Sequence, residues 1–294
     1  MKLLLKISAI FLTVMAGANA LARPVSFPGT GVRIDAPAYL SSLKAGAVLI
    51  DEPGETIIAF SGGPAKTSLE TDPNWRALYK NPPEKIKTKY ITANLYRRTR
   101  AADGGGWDGW FLAITRGDKS LAAMASYTGN SQASFEQIKE YLLTVRWDES
   151  DIKPEEAMGV RLSPGGLQVV PGMFGALAYN KGGRIGAFSP NIFILNQPIT
   201  LAKAKLMFPA GCDSIMNGAF AGKSHEGPEL HERGAIQFCD AWGSQAPSEM
   251  SYFSLVKLPN GALLTIMGKS PKPEFNEFLV RVRNAVGNMS VLRQ

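Results

Sequence analysis

The chain has 294 residues, of which 45% are hydrophobic and only 19% charged, so it carries enough apolar material for a folded core. Its formal net charge of +7 is mildly basic, which permits contact with anionic envelope polymers but does not require it. This composition indicates a globular protein and gives no reason of its own to expect a polyanionic partner.

Residues 1–20 show the order of features that is typical of a secretory signal peptide. Lys2 and Lys6 supply positive charge, a short apolar run covers 7–15, and small alanine and glycine residues follow. The run is too short to span a bilayer, which takes about 20 apolar residues. We expect a periplasmic or secreted protein with no stable membrane insertion after cleavage and no nucleic-acid partner. The alternative is an uncleaved N-terminal anchor.

The first half of the mature chain, residues 24–148, is predicted to form an antiparallel sheet followed by a helix. Apolar alternation between turn residues predicts strands near 31–36, 46–51, 56–61, 88–100, 107–116 and 120–127. A helix is predicted at 133–146, because Phe135, Ile138 and Leu142 lie on one helical face. Strands first and an amphipathic helix last are typical of an α+β fold.

A polar stretch at 149–157 predicts a linker in which Pro154 ends regular structure. The segment after it, 158–294, restarts like the first half. Gly-Val-Arg-Leu at 159–162 matches Gly-Val-Arg-Ile at 31–34, and a similar hairpin and amphipathic helix close the segment. Because start, hairpin and helix agree in order, we expect two tandem α+β domains that arose by duplication.

Cys212 and Cys239 are the chain's two cysteines. An even number of cysteines in an exported chain predicts a structural disulfide, which here lies in the second domain. A redox pair would need closer spacing, such as C-x-x-C, so we favour the structural interpretation.

The segment at 26–37, Ser-Phe-Pro-Gly-Thr-Gly-Val-Arg-Ile-Asp-Ala-Pro, resembles the start of PsbP-like domains. The closing hairpin and helix, ending in Val-Arg-Trp at 145–147, are similar to their last elements. The resemblance covers most of 25–148 and, more loosely, 157–292. It implies an α/β/α-like sandwich around an antiparallel sheet and a docking or accessory role, and no functional residue carries over from it. The cysteine pair departs from the family pattern.

The only two histidines, His225 and His231, lie with several carboxylates in one short polar segment. Together with Glu229 they are candidate ligands for Zn²⁺ or another divalent ion. Their spacing differs from H-E-x-x-H, in which both rings share one helical face. The alternative is a polar loop inside the disulfide ring.

A glycine-rich loop at 103–110 is a candidate for binding a sugar, because its tryptophans offer stacking surfaces, its carboxylates accept hydrogen bonds from hydroxyl groups, and its glycines let the backbone approach closely. The candidate contacts, with two nearby arginines, are Trp107, Asp108, Trp110, Arg97 and Arg100. The alternative for Trp110 is a core position, because strand alternation places it on the same face as Leu112 and Ile114.

No catalytic residue is identified, since the sequence contains neither a G-x-S-x-G elbow nor a nucleotide-binding glycine motif in the right context. No cofactor is expected. We expect a non-enzymatic binding or accessory protein that docks to an envelope protein or polymer. Two alternatives remain: a metal-assisted hydrolase of envelope polymers that uses His225 and His231, and a small-ligand-binding protein with a pocket between the domains.

Overall fold

The structure is a computed structural model. It describes residues 22–43, 45–65, 82–98, 108–128, 135–150, 152–184, 190–221 and 223–292. Within these residues the fold is built mostly from antiparallel sheet, as the strand patterns predicted. Two seven-stranded sheets dominate it, one from each half of the chain.

The first half supplies a large sheet, a small sheet and one described helix. Its elements are β1 (Arg23–Phe27), β2 (Val32–Ala36), β3 (Ser41–Ser42), β4 (Val48–Ile50), β5 (Thr56–Pro64), β6 (Glu84–Lys87), β7 (Thr92–Arg98), β8 (Asp108–Arg116), β9 (Lys119–Tyr127), α1 (Phe135–Leu142) and β10 (Arg146–Trp147). The large sheet has the order β3-β4-β5-β9-β8-β7-β6, and the small sheet has the order β1-β2-β10.

The second half follows the same plan, and two helices lie after its third sheet strand. Its elements are α2 (Pro154–Met158), β11 (Val160–Arg161), β12 (Gln168–Val169), β13 (Ala176–Asn180), β14 (Asn191–Asn196), α3 (Leu201–Met207), α4 (Cys212–Ala219), β15 (Glu226–Arg233), β16 (Ile236–Ala246), β17 (Glu249–Lys257), β18 (Leu263–Pro271), the 3₁₀ turn Lys272–Glu274, α5 (Phe275–Gly287) and β19 (Ser290–Val291).

The two large sheets repeat one strand order. The second runs β12-β13-β14-β18-β17-β16-β15, so each of its strands has a counterpart at the same place in the first sheet. In each half a helix and a short strand follow the sheet, and that short strand pairs with the strand before the sheet: β10 with β2, and β19 with β11. The sequence repeat therefore has a counterpart in the topology.

The hairpin predictions are confirmed. Strands β8 and β9 are joined at Gly117-Asp118, and β17 and β18 are joined by a turn that contains Gly261. The amphipathic helix expected to close the second half is present as α5, which begins at Phe275. Helix α1 is shorter than predicted, because the residues after it are taken up by pairing between β10 and β2. The Thr144 hydroxyl accepts a hydrogen bond from the Asp35 backbone N–H at 2.9 Å, which fixes this change of direction.

Two local predictions were wrong. The strand expected near 88–100 begins later, at Thr92 of β7, because the Thr88 hydroxyl accepts backbone N–H groups of Tyr90 and Ile91 and makes a turn after β6. Pro154 does not end regular structure but lies in the first turn of α2. Proline is favoured there because a first-turn N–H has no partner within the helix and the fixed φ suits it.

The buried apolar side chains form two main clusters. The first is built from residues up to Ala157, and the second from residues that begin at Met158. There are two exceptions to this division. Phe174, from the second half, is 2% exposed and belongs to the first cluster, while Ala45, from the first half, belongs to the second. Each half thus contributes a residue to the core of the other.

The predicted disulfide is confirmed: Cys212 in α4 bonds Cys239 in β16. The bond lies in a third apolar cluster, where Phe208, Met216 and Phe220 pack on the face of the second sheet that carries Leu255. Helix α5 packs with the cluster that contains Phe238 on the other face. Among the helices of the described residues, none has the length and apolarity that crossing a lipid bilayer requires.

We expect reduction of this disulfide to lower the free energy of unfolding by about 3–4 kcal/mol, because the bond closes a loop of 27 residues and restricts the unfolded chain. Urea unfolding with and without a thiol reductant measures the difference. The paired variant Cys212→Ala with Cys239→Ala serves as the control, since its unfolding should not respond to reductant. A wild type equally insensitive to reductant would contradict the expectation.

Candidate functional site

A cleft of about 660 Å³ lies between the two halves, and both line it. The first half contributes residues within 38–43, after β2, and the β4–β5 turn at 50–53. The second half contributes residues within 196–202, where the chain leaves β14 and enters α3, together with Ala262. Its volume falls in the range of about 300–1,000 Å³ that is usual for small-molecule sites.

The wall from the first half is held by Asp51, which is 2% exposed. Its carboxylate accepts the backbone N–H groups of Glu55 at 2.7 Å and Thr56 at 3.0 Å. Gly54 sits inside this turn with φ +72°, a conformation that favours glycine. These hydrogen bonds fix the turn, and each oxygen of the Asp51 carboxylate takes part in one of them. The role of Asp51 is therefore to hold this wall of the cleft in position.

The wall from the second half is held by side-chain amides at the end of β14. The Asn196 amide nitrogen donates to the Ala45 carbonyl of the first half at 2.5 Å, and the Gln197 amide nitrogen donates to the Thr265 hydroxyl. Thr200 then caps α3 by accepting the Lys203 N–H at 3.3 Å. The buried amide oxygen of Asn196 has no hydrogen-bond partner among the described residues.

The lining of the cleft favours an uncharged ligand. Ile50, Ile199 and neighbouring aliphatic groups supply apolar surface, while hydroxyl and amide groups are interspersed among them. The charged groups in the described lining are the carboxylates of Asp51 and Glu52, and Lys203 of α3 brings its Nζ close to the same turn, 3.1 Å from where a β-carbon on Gly54 would be. A neutral molecule with apolar and hydrogen-bonding groups matches this surface.

A second candidate site is a charged cluster centred on Asp240 of β16, which is fully buried. Both of its oxygens accept from Arg283 of α5, at 2.8 and 2.9 Å. The same guanidinium donates to Glu229 of β15 at 2.7 Å, and His231 Nε2 lies 3.1 Å from Asp240 Oδ1. The Arg283 guanidinium also stacks over the Trp242 ring at 4.4 Å.

The electrostatics of this cluster follow from burial and pairing. Burial opposes the charge of Arg283, but hydrogen bonds to Asp240 and the charges of Asp240 and Glu229 raise its pKa above the ordinary value. One signal in the sequence does point to Asp240, which interrupts an apolar strand between Cys239 and Ala241. A buried carboxylate needs a partner, and Arg283 is that partner.

The structure brings together only part of the predicted metal site. Glu229, His231 and Asp240 offer ligand atoms that lie within 4.8 Å of one another. Arg283 already donates to both oxygens of Asp240, so a metal ion would have to displace a guanidinium from a buried carboxylate. The donor set as it stands therefore fits an internal ion pair better than a divalent cation.

His225 does not belong to this group. Its ring stacks on Phe220 with centroids 4.8 Å apart, and its Nδ1 lies 3.0 Å from the Lys223 carbonyl oxygen. The predicted polar loop around the histidines is instead the edge strand β15. Most side chains of β15 face solvent, so its sequence does not alternate between apolar and polar residues. The sequence therefore gave no sign that this segment pairs with β16 as a strand.

The predicted sugar-binding loop is placed only in part. Trp107 and Arg100 lie outside the described residues, and Asp108 begins β8. Trp110 is 5% exposed, and its indole N–H donates to the Phe135 carbonyl at 2.8 Å, so its ring packs inward and offers little open surface.

Arg97, the other described candidate in this region, lies against the same aromatic group. Its guanidinium carbon sits 4.4 Å from the centre of the Phe135 ring. The side chain thus has a packing role beside α1, and its predicted role in ligand contact stays a prediction.

No family model matches the chain, and no curated protein and no solved structure matches it.

Proposed function

We propose that this chain is an exported, non-enzymatic binding protein whose two halves are PsbP-like sandwiches and whose ligand site is the cleft between them. The observation that carries the proposal is the cleft of about 660 Å³, which draws its lining from both halves. A disulfide is the kind of bond that persists outside the cytoplasm, and it supports export. In this proposal the cleft receives a small or exposed part of an envelope component.

The ligand class follows from the lining. Aliphatic side chains with interspersed hydroxyl and amide groups suit a neutral molecule that carries both apolar and hydrogen-bonding surface. The unpartnered Asn196 oxygen shows that this wall holds an acceptor that no described residue satisfies. Neutral sugars, their alkyl glycosides and N-acetylated amino-acid amides are therefore the first compounds to test.

A thermal-shift screen with those compounds tests the proposal. A ligand present at 100 times its Kd should stabilise the protein by about 2.7 kcal/mol, because it binds only the folded state. The variant Ala202→Phe places a ring in the cleft from an exposed helical position and should abolish the shift. The matched control Leu206→Phe, at a position of the same helix that is 79% exposed, should respond like the wild type.

Two outcomes would count against the cleft. One is that no neutral compound stabilises the wild type, and the other is that Ala202→Phe responds to a ligand as strongly as the wild type does. Comparing the two variants without ligand separates lost binding from lost stability, because both should unfold at the wild-type temperature.

A further inference from the structure

Each large sheet has one short edge and one longer, open edge. The short edges are β3 and β12, which hold two residues each and leave little backbone for another strand to pair with. The open edges are β6 and β15, which occupy the same place in the repeated strand order and do not line the cleft. Most of their side chains are exposed, and Leu230 of β15 is 57% exposed.

Strand β6 turns its unused backbone groups outward at Lys85 and Lys87. The Thr88 N–H donates to the Ile91 carbonyl at 2.9 Å, so the pair that closes the β6–β7 turn is hydrogen-bonded. Hydrogen-bonded and non-hydrogen-bonded pairs alternate along an antiparallel ladder, so the backbone of Ile86 bonds β7 and that of its two neighbours does not. The N–H and C=O groups of Lys85 and Lys87 therefore point away from the sheet.

Strand β15 has the same arrangement at Leu230 and Glu232. Arg233 pairs with Ile236 across a two-residue turn, and the pair that flanks such a turn is hydrogen-bonded. By the same alternation, the backbone of His231 bonds β16, whereas the N–H and C=O groups of Leu230 and Glu232 point outward. Both open edges thus present free backbone donors and acceptors at two alternate residues.

The two open edges carry opposite charge. Strand β6 has two lysines and one glutamate, while β15 has three glutamates and one arginine. Among the described residues, the side chains of Lys85 and Lys87 have no salt-bridge partner, and Glu232 has only a hydrogen bond of 2.8 Å from Gln237. Charge on an edge strand usually discourages pairing with another chain, but edges of opposite sign attract each other.

We propose that β6 of one copy of this chain pairs antiparallel with β15 of a second copy. The pairing sets Lys85 opposite Glu232 of the second copy, so that opposite charges face each other. Two residues further along, Lys87 lies opposite Leu230. Both pairs exchange their backbone hydrogen bonds in the two directions, because every one of these residues points its N–H and C=O groups outward.

The charges select this register among those that the backbone allows. It also sets Glu84 opposite Arg233 of the second copy, which adds another pair of opposite charges. A shift of two residues in one direction brings in Pro228, which has no N–H to donate. A shift in the other direction brings in Gly234, which lies beyond the end of β15.

The register also matches the faces of the two sheets. Glu84 contacts Lys139 of α1 at 2.7 Å, and Arg233 donates to Asn284 of α5 at 3.1 Å, so both side chains point to the helix-bearing face. Facing residues of paired strands point to the same side, so the helix-bearing face of one sheet continues into that of the next. Each copy offers one edge of each sign, so the contact is head to tail and can extend beyond two molecules.

Sedimentation equilibrium over a range of protein concentrations tests the proposal. The weight-average mass should rise above that of one chain, and less so at high salt, which screens exposed charges. Lys85→Glu and Glu232→Lys should each weaken association roughly tenfold or more, because each sets like charges opposite each other. An equimolar mixture of the two variants should associate again, because it restores the opposite charges in reversed order.

The matched control is Lys181→Glu, which makes the same charge change at an exposed position outside both edges and should associate like the wild type. Circular dichroism shows whether each variant is folded, as expected for exposed positions. A wild type that stays a single chain at every concentration would overturn the proposal. So would association that Lys85→Glu leaves unchanged, or a mixture of the two variants that stays dissociated. Binding of polyglutamate by a wild type that does not self-associate would assign β6 to an acidic partner instead.

Discussion

Replacing Arg283 with methionine is expected to lower the free energy of unfolding by about 3–5 kcal/mol. The substitution leaves Asp240 fully buried without the guanidinium that donates to both of its oxygens. A buried charge without its partner is costly, because protein groups no longer replace the water that solvates it in the unfolded chain. Urea denaturation followed by circular dichroism measures the change.

Two further variants show whether the cost comes from the lost charge partner. Adding Asp240→Asn to Arg283→Met should recover part of the lost stability, because the unpaired buried charge is removed. Arg281→Met, on the same helix, breaks an exposed pair with Glu277 and should cost at most about 1 kcal/mol. An equal loss in the two single variants would show that Asp240 does not depend on Arg283.

Replacing Phe174 with alanine is expected to cost about 3–5 kcal/mol, the usual range for truncating a buried phenylalanine. This side chain crosses from the second half into the core of the first. Its backbone and that of Gly62 exchange two hydrogen bonds of 3.0 Å, and its ring lies where a side chain at Gly62 would be. A β-carbon on Gly62 would approach the ring to 2.2 Å, so only glycine leaves room for it.

Calorimetry of Phe174→Ala measures both the stability and the coupling between the halves. We expect the unfolding transition to broaden or split, because the variant removes the main apolar contact by which one half enters the core of the other. Met173→Ala, the adjacent and less buried position, should leave the transition nearly unchanged. A single sharp transition in Phe174→Ala at the wild-type temperature would refute this role.

Local patterns in the sequence were enough to predict the hairpins, because strand alternation and turn residues act over a few neighbours. Helix α5 was found for the same reason: Phe275, Phe278, Val282 and Val286 repeat at helical spacing and are all buried. Edge strand β15 was missed, since its exposed side chains carry no alternation. Strand β6 was not predicted, and the later start of β7 was missed because it depends on one hydroxyl, that of Thr88.

The candidate sites were harder to predict, because their residues are distant in sequence. Asp240 and Arg283 meet only when α5 packs against the second sheet. The cleft joins segments from both halves. Glu229 and His231 were found because they are neighbours along the chain.

In each half the strand that precedes the large sheet pairs with the last strand, β2 with β10 and β11 with β19. The Asp148 N–H donates to the Gly31 carbonyl at 3.0 Å, and the Leu292 N–H donates to the Gly159 carbonyl at 2.9 Å. A unit whose two ends touch can be closed into a ring and opened at another surface turn without disturbing its sheet, so either half suits circular permutation. The same geometry lets a copied unit follow its original after only a few intervening residues, which the short helix α2 supplies.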